Sequence, residues 1–133
     1  MPKLTKSRSK KIKHLNLNPL SVVKFFYERM GEKALEQPFI QPALYLTEYE
    51  AEKKLGLSFF REKFQVWADI PVLLSVFEYL DANDYPSFSN IPNITQPEII
   101  HHLENICRRY NRQDYDLLAC DLQFKAQKLV GSL

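Results

Sequence analysis

The sequence predicts an all-α fold: a compact bundle of about five helices, with room for one short β-hairpin, behind a disordered basic N-terminal tail. Three observations lead there. Apolar residues recur at helical spacing in several separate stretches. Asn, Asp or Thr precedes most of these stretches, Pro stands in several first turns, and Gly follows several ends. Only three glycines occur in 133 residues, too few for a turn-rich sandwich or barrel. A chain of this length fits one domain, residues 15–133, and buries enough surface to fold without a staple. With 45% hydrophobic and 26% charged residues, its composition is that of a globular protein.

Asn18-Pro19 opens the first helix, since Asn accepts a bond from an orphan N–H and Pro at the first position has none to lose. Val22, Val23, Phe26 and Met30 form its stripe, widened by Phe25 and Tyr27, and Gly31 ends it. Pro38 and Pro42 interrupt the next segment. A second helix follows, with Thr47 and Glu50 at capping-box spacing or with an earlier start near Pro42. Ala51 and Leu55 face inward, and Gly56 stops it. Phe59, Phe60, Phe64, Val66 and Trp67 then suit a short helix or an extended strand equally. Asp69 is placed to cap a third helix with Pro71 in its first turn. Val72, Leu73, Val76, Phe77 and Leu80 cover so much of that helix that it should be central. Asn83 to Asn93 reads as a loop. Thr95 and Glu98 repeat the capping-box spacing before Ile99, Leu103, Ile106 and Tyr110. Asp114 opens the last helix, with Leu118, Leu122, Ala126 and Leu129 as its stripe and Gly131 as its stop.

The charge is unevenly placed. Residues 1–14 carry Lys3, Lys6, Arg8, Lys10, Lys11 and Lys13 and no acid, so the remainder of a chain with net charge +2 is acidic. Six like charges with few large side chains do not collapse on themselves. Such an arm reads first as a solubilising tail, then as a candidate for salt-sensitive, sequence-blind contact with nucleic acid, and last for contact with a protein. No aromatic is interleaved to stack on bases. No apolar run reaches membrane-spanning length, and no apolar core follows the basic start as in a signal peptide, so a cytoplasmic location is expected. Two cysteines are too few for a disulfide framework.

Catalytic patterns are missing. His101, His102 and Cys107 share a helix, but His102 and Cys107 diverge around it, so no metal site is expected. There is no nucleophile elbow, and three scattered glycines build no phosphate cradle. Asp114, Asp116 and Asp121 complement a helix N-terminus, while Arg108, Arg109 and Arg112 suit a C-terminus or a partner's carboxylates. No enzymatic activity and no cofactor are expected; a site formed only in three dimensions around His101 and Cys107 is the remaining enzyme reading.

Two segments together resemble the Panacea domain, a phage-associated family that includes antitoxins and a proteolysis adaptor. Asn18-Pro19-Leu20-Ser21-Val22-Val23-Lys24-Phe25-Phe26-Tyr27 is similar to the family's opening T-P-L-K-L-Q-K-L-L-Y run, with Pro19, Leu20, Lys24 and Tyr27 in matching places. Phe59 to Val72 is similar to its L-F-x-E-x-F-x-A-W-x-x-G-P-V stretch, with Phe60, Glu62, Phe64, Trp67, Pro71 and Val72 in register. The likeness spans roughly residues 17–130 and is that of a divergent or partial member. Ile70 replaces a Gly, Val66 replaces an Ala, residues 35–56 exceed the usual connector, and no T-H…P-W segment follows Leu118.

The resemblance implies binding without chemistry: an antitoxin that neutralises a toxin by contact, or an adaptor that delivers it to a protease. Trp67, packed on Pro71 and Phe64, is expected as a core anchor first, in a ring with Phe26 and Phe77, and as an interface element second. Tyr45, Tyr49, Tyr85 and Phe88 lie in polar or loop surroundings and, with Arg108, Arg109 and Arg112, are the candidate partner contacts. Each of those aromatics suits a covered hydrophobic seam as well. The expected function is therefore a protein-interaction module, with nucleic-acid binding through the arm as the alternative. A homo-oligomer is left open, and no membrane contact is expected.

Overall fold

A computed structural model of the chain describes residues 12–83, 86–110 and 122–129. It is mostly helical, with two small strand pairs that an all-α bundle lacks. In chain order the elements are β1 (Lys13–His14), α1 (Pro19–Met30), a 3-10 turn (Gly31–Leu35) and α2 (Gln37–Leu55). Then come β2 (Leu57–Ser58), β3 (Gln65–Trp67), β4 (Ile70–Val72), α3 (Leu74–Ala82), α4 (Pro97–Tyr110) and α5 (residues 122–129).

Helix α1 forms where its caps put it. Asn18 Oδ1 accepts the Leu20 N–H at 2.9 Å. Gly31 takes φ 81° and returns its N–H to the Tyr27 carbonyl. Such a backbone angle is free of a Cβ clash only in glycine.

Helix α2 starts ten residues ahead of Thr47, at Gln37, and carries Pro42 inside. A proline there leaves the carbonyl four residues back without its helical donor. Gln123 on α5 supplies one, its Nε2 lying 3.0 Å from the Pro38 oxygen. Thr47 is buried mid-helix and bonds back to the Ala43 carbonyl at 2.7 Å, so the capping-box spacing with Glu50 is fortuitous. Gly56 ends the helix at φ 67°, as expected, while Leu55 is exposed rather than inward.

The basic tail does not run free to residue 14. β1 pairs in parallel with β2, Lys13 opposite Leu57 and His14 opposite Ser58. The Lys13, Leu15 and Leu17 N–H groups reach the Gly56, Ser58 and Phe59 carbonyls at 3.0, 2.9 and 2.7 Å. The chain is therefore held from Lys13 onward by backbone bonds that no sequence pattern signals.

The largest correction concerns residues 65–73. Ala68 and Asp69 take φ 51° and 67°, turning β3 back onto β4 as a two-residue hairpin. Asp69 caps nothing, Pro71 lies in a strand, and α3 begins only at Leu74, with no side-chain cap from Leu73. Glu62 takes over that duty, accepting from the Ser75 N–H at 3.0 Å and from the Ser75 hydroxyl. Nor is α3 central: within it Val76 alone is buried.

The core is built instead around α1, α2 and α4. Phe26, Phe39, Phe59, Ile40, Leu44, Leu73, Ile99, Leu103, Ile106 and Leu122 are its largest fully enclosed side chains. Phe64 and Phe77 are half-buried and Trp67 is exposed, so of the expected aromatic ring only Phe26 belongs to the core. Along α4, Ile99, Leu103, Ile106 and Tyr110 are buried as their spacing requires. The helix opens at Pro97, with the Gln96 carbonyl accepting from Ile99 and Ile100. In α5, Leu122 and Ala126 are buried; Asp114, Leu118, Cys120 and Gly131 lie outside the described residues.

One buried amide ties the layers together. Gln41 on α2 accepts the Leu73 N–H at 2.8 Å and donates to Gln37 Oε1 at 3.0 Å. An unpaired buried N–H costs about 1–3 kcal/mol. Gln41→Ala should therefore lower unfolding stability by about that amount in a urea titration, with an unchanged slope.

Candidate functional site

Antiparallel pairing sets Gln65 opposite Val72, Val66 opposite Pro71 and Trp67 opposite Ile70. β4 is turned inward, with Pro71 and Val72 buried, whereas every residue of β3 is exposed. Val66 is 53% and Trp67 37% exposed. The indole leans edge-on against Phe77, with ring centres 5.1 Å apart, and its N–H bonds to Gln65 Oε1 at 3.0 Å. One side of the ring is thus fixed and the other faces outward.

The turn that holds this pair in place is strained. Left-handed backbone at both central positions is the geometry of a type I′ turn, usually met by Asn-Gly. Here an alanine and an aspartate adopt it, at roughly 1–2 kcal/mol for an L-residue with a Cβ. Backbone strain of this kind concentrates where a surface is in use.

Beside the hairpin runs an open groove of about 720 Å³, lined by Tyr45, Tyr49, Phe60, Phe64, Glu48 and His14 among others. Tyr45 packs edge-on against Phe64 at 5.1 Å. Burial, then Tyr49 and Glu52 nearby, push its phenol above the usual range. At the groove floor the Glu48 carboxylate accepts the Phe59 and Phe60 N–H groups at 2.7 and 3.3 Å and the Ser58 hydroxyl at 3.1 Å. Burial raises its pKa, and those bonds pull the other way. Two of its three bonds hold backbone N–H groups and the third a neighbouring hydroxyl, so this acid acts as an anchor for the chain.

A second polar cluster lies where α4 crosses α2. Arg109 grips Glu50 through both nitrogens at 2.9 and 2.5 Å, and Lys54 adds a bond at 3.2 Å. Burial works to raise the Glu50 pKa, but these cations hold it below the usual carboxylate range. Next to them His102 is buried, its Nε2 3.1 Å from the Thr47 carbonyl and its ring edge-on to Phe59. Burial lowers the His102 pKa. Burial likewise lifts the Cys107 thiol to about 11, and His101 is exposed, so the two do not form a dyad. Among the described residues, no group of three or more His, Cys, Asp or Glu could hold a metal ion. Among those residues no helix is long and apolar enough to cross a membrane.

The expected contact residues scatter. Tyr45 and Tyr49 share the groove, half-buried. Phe88 is buried, its ring 5.5 Å from Tyr27 and 6.2 Å from Tyr79, so it seals the 86–96 loop rather than reaching a partner. Arg109 is engaged by Glu50, while Arg108 is exposed and bonds Asn105 on its own helix. Of the motif residues, Lys24 Nζ reaches the Ile91 carbonyl at 2.9 Å, tying α1 to that loop. Pro19 and Leu20 open α1, and Phe60 is buried. Lys3, Lys6, Arg8, Lys10, Lys11, Tyr85 and Arg112 lie outside the described residues. Val66 and the strained turn were not among the expected features. The signal for them was two three-residue runs flanking a two-residue step, masked because Ala-Asp is not a favoured hairpin turn.

Compared with protein-family models, curated proteins and solved structures, the chain matches none.

Two outcomes test this geometry. Ala68→Gly, which removes the Cβ from a left-handed position, should leave stability unchanged or raise it by up to about 1 kcal/mol, whereas Ala68→Val should lower it. His102 has a folded pKa below its unfolded value of 6.5, so the unfolded chain binds the proton more readily. Stability should therefore fall as pH drops below about 6.5. That portion of the pH dependence should vanish in His102→Gln, as measured by urea midpoints between pH 7 and pH 5.

Proposed function

We propose that this chain is a non-enzymatic protein-binding module, of the antitoxin type that its motifs resemble. Its contact surface is the exposed strand β3, with Trp67 on one side and Val66 on the other, together with the Tyr45–Tyr49–Phe64 side of the groove. One observation carries the reading: a tryptophan and a valine are held outside the core on a strand that leads into a two-residue turn with left-handed backbone and no glycine. A fold that merely needed to end a strand would place polar residues and glycine there. Tryptophan and tyrosine are the side chains that dominate binding energy when a partner buries them. The groove continues the patch through Phe64, which immediately precedes β3.

The partner class that the resemblance adds is a toxin, neutralised by contact or passed to a protease. Immobilised full-length protein should retain such a partner from its native host. Trp67→Ala should weaken that retention at least about tenfold, the scale of a central aromatic contact, without changing the circular dichroism spectrum. Retention that is equal for wild type and Trp67→Ala, or no retention of any protein, would remove the proposal.

A further inference from the structure

A cavity of about 340 Å³ opens where α4 crosses α2, lined among the described residues by Glu50, Lys54, His102, Asn105, Arg108 and Arg109. It shares no residue with the groove or with β3. Three cations stand there around one carboxylate, an excess of two positive charges. That carboxylate already takes three bonds: Glu50 Oε1 accepts from Lys54 and one Arg109 nitrogen, and Oε2 accepts from the other. Asn105 gives its carbonyl oxygen to Arg108, which leaves its amide nitrogen, a donor. The wall therefore offers more N–H groups than acceptors.

Helix C-termini attract Lys and Arg in their own right, which accounts for Lys54, Arg108 and Arg109. It does not account for His102. That residue is only 6% exposed, and its Nε2 lies 3.1 Å from the Thr47 carbonyl. A carbonyl only accepts, so Nε2 carries the proton. Burial favours the neutral ring against Glu50, Lys54 and Arg109, the charged groups that bear on it. Nδ1 is then a bare acceptor, and no described residue donates to it. A buried acceptor left without a donor is costly. In a cavity otherwise walled by donors, the fitting ligand is an anion that accepts several bonds and donates one. Sulfate and chloride only accept, and ammonium only donates. We propose that this cavity binds a phosphate group that keeps a hydroxyl. Its P–OH donates to His102 Nδ1, and its charged oxygens accept from Lys54, Asn105 Nδ2, Arg108 and Arg109. The site is separate from the partner-binding face, so either reading can fail without the other.

Titrating isotope-labelled full-length protein with inorganic phosphate near neutral pH in about 0.15 M sodium chloride tests it, with the His102 ring nitrogens followed by NMR. The expected result is a saturable shift of the Nδ1 resonance with a Kd of about 1 mM or tighter. Sulfate has the same shape but no proton to give, and should bind at least about fivefold more weakly. Arg108 is exposed and bonds only its own helix, so Arg108→Ala should keep the circular dichroism spectrum and weaken phosphate about threefold or more. Glycerol 3-phosphate, titrated in parallel, separates an esterified source from the free ion: the tighter of the two is the natural one. Phosphate held only by the six cations of the N-terminal arm would leave His102 unmoved, and that outcome overturns the proposal. So does an equal response to sulfate, or binding that is indifferent to Arg108→Ala.

Discussion

Two polar side chains of α2 hold the surface of this protein in place. Glu48 binds the Ser58 hydroxyl and the backbone at residues 59 and 60, and Gln41 binds the backbone at residue 73. Everything between those anchors, the hairpin included, hangs from one helix at both ends. Helices supply backbone groups only to themselves, so a loop beside one must find side chains to satisfy its own N–H groups. An apolar residue at position 41 or 48 would leave buried donors unpaired and release one end of the segment that carries Trp67.

The same constraint explains why α2 tolerates what helices usually reject. Pro42 removes a donor, and Gln123 replaces it from α5. Thr47 is drawn inside and bonds its own helix, while its carbonyl partners His102. Helix α2 contacts α1, α3, α4, β2 and β4, and such surroundings reward burial on many sides over a clean apolar stripe. Against this frame the hairpin spends its apolar residues unevenly. β4 buries Pro71 and Val72, whereas β3 keeps Val66 and Trp67 outside. The result is two large apolar side chains exposed side by side in sequence on one short strand.

How much of this was legible depended on how local the cause was. Helix α1 was readable because Asn18, Pro19 and Gly31 act on their own turns. The α4 stripe was readable because Ile99, Leu103, Ile106 and Tyr110 share one face. The start of α2 was hidden, since the group that permits Pro42 is 81 positions later in the chain. Parallel pairing of β1 with β2 was hidden for the same reason, joining residues more than 40 apart. Trp67 was misplaced because a large aromatic among phenylalanines reads as core, whereas it lies on an exposed strand of a hairpin whose turn needs left-handed backbone at Ala68 and Asp69. In the candidate surface Tyr45 and Tyr49 were foreseen, whereas Val66 and the strained turn were not.

Trp67 is the only tryptophan in the chain, which makes its surroundings directly observable. Acrylamide quenching of its fluorescence in the native, full-length protein tests whether an aromatic is held on the outside of this fold. Ready quenching, approaching that of the urea-unfolded chain, with red-shifted emission, is the expected result. Blue-shifted emission that resists quenching would put the indole in the core and contradict the binding surface built on it.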